Sequence, residues 1–191
     1  DGNVLVFCNA AGMSSTAGPF EENIKKLTGM TIRYDPKTVG IFRAVPIPGS
    51  DRMAEGLKDN CEIMWDEPLF YVDDADAKVL GKIAGTDKAG WAVKRFKDWT
   101  SVYIAIAGNI TPELIRNIVR EAGITPIGPA GDVTTAGNGF ISIHALSDGT
   151  KRLFLGKRSE LIDLSDSRVL PAAAELTLPM LAGETRWFRR R

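Results

Sequence analysis

The sequence predicts an α/β domain with a mostly parallel sheet, followed by a smaller antiparallel β domain. Three observations carry that prediction. Residues 4–7, VLVF, form a continuous apolar run rich in β-branched and aromatic side chains, as in a strand buried on both faces. Thr111-Pro112 opens the clearest helix of the chain, between a β-rich run at 99–106 and another at 124–127, the pattern of a crossover between parallel strands. After Gly128 the helix signals stop, and short β-rich runs recur between turns to the end. The expected division is an α/β domain over residues 1–147, lacking its first elements, and a β domain over 148–191.

Taken in order, the first strand runs into a loop of small residues at 9–18. Its spacing matches neither the dinucleotide fingerprint nor the phosphate-cradling P-loop. Pro19 opens a short helix to Leu27, with Glu21 and Glu22 in its first turn, Lys25 and Lys26 in its last and Gly29 just beyond, all complementary to the helix dipole. Residues 30–34 read as a strand and 40–46 as an extended segment pushed to a sheet edge by Pro46 and Pro48. Residues 51–58 make at most a short helix, and 61–65 a strand.

The stretch 68–108 organises the rest, with neighbouring strands expected at 79–84 and 91–96 around the turn 85–90. In the run 99–106, alternation puts Val102, Ile104 and Ile106 on the face expected to be core. Leu114, Ile115, Ile118, Val119 and Ala122 then recur at helical spacing, and Gly123 closes the helix. The β runs beyond Gly128 are 132–135, 140–145, 151–155, 161–164, 175–178 and 185–188.

The totals exclude several classes. At about 100–200 residues per domain, the 191 residues suit one domain or a domain with an appendage. With 44% hydrophobic and 25% charged residues the balance is that of a globular chain. The 24 basic and 24 acidic residues cancel, so no net field draws in nucleic acid or an acidic membrane, and neither is an expected partner. The cluster Arg186, Arg189, Arg190 and Arg191 reads as a solvated chain end. No signal segment and no bilayer-length apolar run is present, and the immediate strand after Asp1 and Gly2 reads as the start of an internal piece. Compartment is left open.

No residue stands out as catalytic. His144, the single histidine, alternates outward beside Ser142 and reads as structural. Cys8 follows a strand, where a nucleophile elbow would place a thiol, but Phe7 and Asn9 do not supply the small neighbours that such a turn requires. Cys8 and Cys61 read as small core residues, with their pairing open. Glu67, Asp73, Asp74 and Asp76 cluster as a glycosidase pair or calcium loop might demand, yet without the calcium-loop spacing they read as solvated turns. Trp65, Trp91, Trp99 and Trp187, with Tyr71 and Tyr103, are dispersed through strands and read as packing residues, with sugar stacking as the alternative. No cofactor or metal ligand set is expected.

A family likeness lies in the runs FYVDDADAKVLGKIAG, AVKRFKDWTSVY, ITPELIRNIVREAGI, GFISIHALSDGTKRLFL and LAGETRWF. They resemble the C-terminal region of large bacterial β-galactosidase-like glycoside hydrolases. The resemblance implies a trimerisation-type domain of flavodoxin-like, class I glutamine amidotransferase-like fold, followed by a small β-sandwich. It also implies an upstream TIM barrel that carries the catalytic glutamates, a homo-oligomer, and an oligosaccharide as possible ligand. No catalytic residue carries over to this chain, and the family's amidotransferase-like domain has lost its cysteine. The expected function is therefore a non-catalytic accessory or oligomerisation portion of a multidomain glycoside hydrolase. The alternatives are a thiol enzyme using Cys8 and a carbohydrate-binding module.

Overall fold

Short turns follow the strands at 78–83 and 89–95, and a turn of a few residues permits only antiparallel pairing of the two strands it joins. The computed structural model describes residues 3–12, 21–36, 40–59, 64–66 and 68–191, which divide into two units, Asp1–Gly123 and Ile124–Arg191. The first contains β1 (Val4–Cys8), α1 (Glu21–Thr28), β2 (Ile32–Asp35), β3 (Gly40–Phe42), β4 (Ala44–Pro46), β5 (Met64–Asp66), β6 (Leu69–Val72), β7 (Lys78–Ile83), β8 (Ala89–Arg95), β9 (Thr100–Ile104) and α2 (Pro112–Glu121). A 3-10 turn covers Arg52–Ala54 and another Ala107–Asn109.

The main sheet has seven strands, with the path β1-β9-β8-β6-β2, β7 on β8 and β4 on β7. Among its described pairs only β1 with β9 is parallel. This corrects the expected mostly parallel, flavodoxin-like sheet. A parallel pair needs a crossover of a dozen or more residues, whereas β7 to β8 and β8 to β9 turn back within a few. The helix α2 forms as expected, but residues 124–127 carry no strand, so no strand–helix–strand unit is completed.

The middle strands of the sheet are packed on both faces. Ile24 of α1 packs with Ile32, Phe70, Ala92, Tyr103 and Ala105 on one side. Met53, Ala54 and Leu57 pack with Trp91, Val93, Val102, Ile104 and Leu114 of α2 on the other. Strand β9 is thus core on both faces, not on the single face that alternation indicates, because a helix covers one side and a helix with a turn covers the other. Strand β1, expected to be buried, lies at the end of the strand path with Leu5 50% and Val6 41% exposed.

Local chemistry explains the helix ends. Thr111 accepts a hydrogen bond from the Leu114 amide at 3.2 Å, with Pro112 at the first helical position. Gly29 ends α1 with φ of +70°, and a Cβ there would lie 2.4 Å from the Phe96 ring, so turn and packing both require glycine. On α2 the buried residues are Leu114 and Asn117, while Ile115 is exposed.

The second unit holds β10 (Val133–Gly137), β11 (Phe140–His144), β12 (Gly149–Asp163), β13 (Val169–Met180) and β14 (Thr185–Arg190), in one antiparallel sheet ordered β10-β11-β14-β12-β13. Its antiparallel character is as expected. The unit begins at Ile124, whereas the expected domain boundary is 147/148; β10 pairs with β11 and β11 with β14, so both join the later strands. The runs 151–155 and 161–164 are one strand, carried through by register shifts between Phe154 and Leu161, with Gly156 at φ of +75°. Ile141, Ile143, Leu153, Leu161, Leu178 and Phe188 form its core.

Candidate functional site

Four sets of residues were singled out by sequence, and the fold separates them. Cys8 closes β1 with its thiol half-buried, and burial pushes the thiol pKa up, away from the reactive thiolate. His144 lies in the other unit, on β11, with its Nδ1 2.8 Å from the Thr185 hydroxyl across the strand pair. Cys61 and Glu67 lie outside the described residues, as does the side chain of Trp65 and most of the small-residue loop at 9–18.

The acidic run is occupied by structural work. Asp74, with its side chain 6% exposed, accepts from Lys94 Nζ at 2.9 Å and from the amides of Thr31 and Asp76. Burial opposes its ionisation, but these donors win and hold its carboxyl below the usual range. Asp73 pairs with Arg33 at 3.3 Å, and Asp76 lies 3.6 Å from Lys94. These carboxylates fasten β6 and its following turn to β2 and β8.

The aromatic set divides cleanly. Trp91 and Tyr103 are wholly buried, the Tyr103 hydroxyl donating to the Asn9 carbonyl at 2.5 Å. The Trp91 indole Nε1 finds no acceptor among the described residues. Trp99 stacks on Phe96 with centroids 4.6 Å apart and meets Phe7 edge-on at 6.5 Å. Tyr71 carries the Lys88 ammonium 4.7 Å above its ring. Trp187 alone of the described tryptophan side chains faces solvent broadly, at 53% exposure.

Trp187 occupies the middle of a sheet face. Phe188 beside it is fully buried, so alternation along β14 turns Thr185, Trp187 and Arg189 outward. The register sets Ser142 opposite Trp187, His144 opposite Thr185 and Phe140 opposite Arg189. The C-terminal arginines, expected to be solvated, are mostly engaged. Arg186 lies 3.2 Å from Asp163, Arg190 donates to the Leu155 carbonyl at 2.8 Å, and Arg191 lies 3.6 Å from Glu160.

A charge network went unread in the sequence. Arg95, ending β8, donates to both oxygens of Asp51 at 2.9 and 2.8 Å and to Glu121 at 2.7 Å, while Arg52 reaches Glu121 at 2.7 Å. The Arg95 guanidinium holds both carboxyls below their ordinary range. Asn117 joins α2 to the neighbouring 3-10 turn through the Met53 and Glu55 carbonyls at 3.0 and 2.8 Å. A 150 Å³ cavity beside it is lined by Arg52, Glu55, Asn117, Arg120 and Glu121. One signal was available: a glutamate in the last turn of a helix opposes the dipole and calls for a cationic partner.

No protein-family model and no curated protein matches this sequence. Solved structures do. The β-galactosidase from Bacillus circulans sp. alkalophilus matches at a TM-score of 0.56 and 15% identity, over 100% of this chain and 29% of that one. A GH42 β-galactosidase from G. stearothermophilus matches at 0.55 and 13%, over 100% and 28%. The β-galactosidase of the haloarchaeon Halorubrum lacusprofundi matches at 0.53 and 10%, over 98% and 27%. The chain thus has the fold of a portion of these proteins and spans under a third of their length.

Proposed function

We propose that this chain is a non-catalytic accessory and assembly portion of a larger glycoside hydrolase that acts on β-galactosides or related glycans. One observation carries the reading: the fold match runs over 98–100% of this chain yet takes up under a third of each β-galactosidase chain. The side chains support it. The Cys8 thiol is held away from its ionised form, and the acidic run is neutralised by Lys94 and Arg33. Among the described residues β1 ends the strand path with Leu5 and Val6 exposed, which offers backbone groups and apolar area to another subunit. In this reading a catalytic TIM barrel belongs to the parent protein, and the trimerisation-type role falls to the first unit.

The test is Cys8→Ala in the natural gene product, assayed on nitrophenyl β-galactoside. Hydrolysis that persists within about twofold of wild type supports the accessory role, since a nucleophile's removal costs orders of magnitude. Loss of hydrolysis with the fold intact overturns it in favour of a thiol enzyme.

A further inference from the structure

The solvent-facing side of β11 and β14 carries an arrangement that folding itself does not use. Trp187 leaves about half of its surface in water at the centre of a rigid antiparallel face, where burial would otherwise stabilise the chain. Around it stand groups that make hydrogen bonds or carry charge. Ser142 is its cross-strand neighbour, and the His144–Thr185 pair forms the next row. In the row on the other side stand Arg189 and Phe140, the latter 44% exposed.

Arg189 is set apart from the other arginines of the chain end. Arg186, Arg190 and Arg191 each have a carboxylate or carbonyl partner, whereas Arg189 projects on the Trp187 face with none among the described residues. Across the register from Arg189 stands Ile162; Asp163 beside it is taken by Arg186, and Glu160, two positions away, lies 3.6 Å from Arg191. The face therefore presents an uncompensated guanidinium about 7 Å along the strand from an exposed indole, with Phe140 about 7–8 Å away on the diagonal.

We propose that this face binds an acidic glycan, with a pyranose ring stacked on Trp187 and its carboxylate held by Arg189. The chemistry fits each group. A flat indole covers the C–H face of a pyranose, a planar guanidinium takes a carboxylate through two parallel hydrogen bonds, and Ser142, His144 and Thr185 address ring hydroxyls. The charge of the face selects a uronate over a neutral sugar. This site goes beyond the accessory role and stands or falls separately from it, since it rests on the second unit's surface alone.

The experiment is a calorimetric titration of the natural gene product with α-1,4-linked tetragalacturonate, with neutral α-1,4-linked galactotetraose, likewise no β-galactoside, as the comparison. Saturable binding of tetragalacturonate is expected, at least about tenfold weaker for galactotetraose and for Arg189→Ala, and abolished in Trp187→Ala. Both side chains are exposed, so both variants should keep the fold, checked by their circular dichroism. Absence of binding, or binding that Trp187→Ala leaves unchanged, overturns the site. Equal binding of the two glycans with Arg189→Ala unaffected overturns its acidic specificity. A fall in native mass on Trp187→Ala without glycan binding overturns it in favour of a protein-docking face.

Discussion

Among the described residues, the mixed sheet of the first unit is packed on both faces of its middle strands and ends at β1 without a further strand, whereas the antiparallel sheet of the second is filled on one side and leaves a face open. The difference follows from what each sheet has to cover it. Two helices and a 3-10 turn flank the first sheet, so its exposed apolar residues gather on β1 and on helix surfaces. The second unit has strands alone, so its outward residues include Phe140, Leu164 and Trp187. Edges recruit backbone and faces recruit side chains, the contrast on which the proposed assembly role of the first unit and the proposed glycan site of the second both rest.

Substitutions sharpen this contrast, beginning with the largest effect. Lys151 and Asp132 form a buried ion pair at 2.9 Å, with side chains 7% and 2% exposed. Lys151→Ala leaves that carboxylate buried without its cation and should cost about 3–5 kcal/mol. Hydrogen exchange should place the loss in the second unit; equal loss of protection in both would show that they do not unfold separately.

Next comes Arg95→Ala, expected to cost about 1.5–3 kcal/mol in the first unit through its charge-assisted hydrogen bonds. Because Arg95 lowers the folded-state pKa of Asp51 and Glu121, this stabilisation is complete above their unfolded pKa near about 4. It is lost as pH falls through their lower folded values. Urea midpoints between neutral and strongly acidic pH should fall less steeply in Arg95→Ala than in the wild type, and parallel curves would refute the coupling.

Smaller still, Thr111→Ala removes a helix cap and should lower the urea midpoint by an amount worth about 1 kcal/mol. Val6→Lys, on β1, should change stability by no more than about 0.5 kcal/mol. Its signature is a lower native mass of the natural gene product by sedimentation; an unchanged mass would remove β1 from the assembly surface.

The same contrast explains what was legible in the sequence. Period-two alternation survives where one side of a sheet is wet, so Ile141 and Ile143 against Ser142 and His144 announce β11. It vanishes in β8, where five consecutive residues are buried, and it misassigns Tyr103 of β9. The Thr111-Pro112 cap was readable because it is local. Strand direction was not, since a helix after β9 looks alike whether the chain returns to the same sheet or leaves for another unit. The pairing of Arg95 with Glu121 spans 26 residues, and only the ill-placed glutamate at the end of α2 hinted at it. At the candidate glycan face, Trp187 was in view with the other aromatic residues, but its exposure and the isolation of Arg189 depend on what β11 and β12 take up from its neighbours.

The most direct test of the account is the kcat/KM for nitrophenyl β-galactoside of the isolated 191-residue chain beside that of the natural gene product. The account predicts hydrolysis by the gene product and none above the uncatalysed rate by the isolated chain. Turnover by the isolated chain at a comparable kcat/KM would contradict it and place the chemistry within these residues.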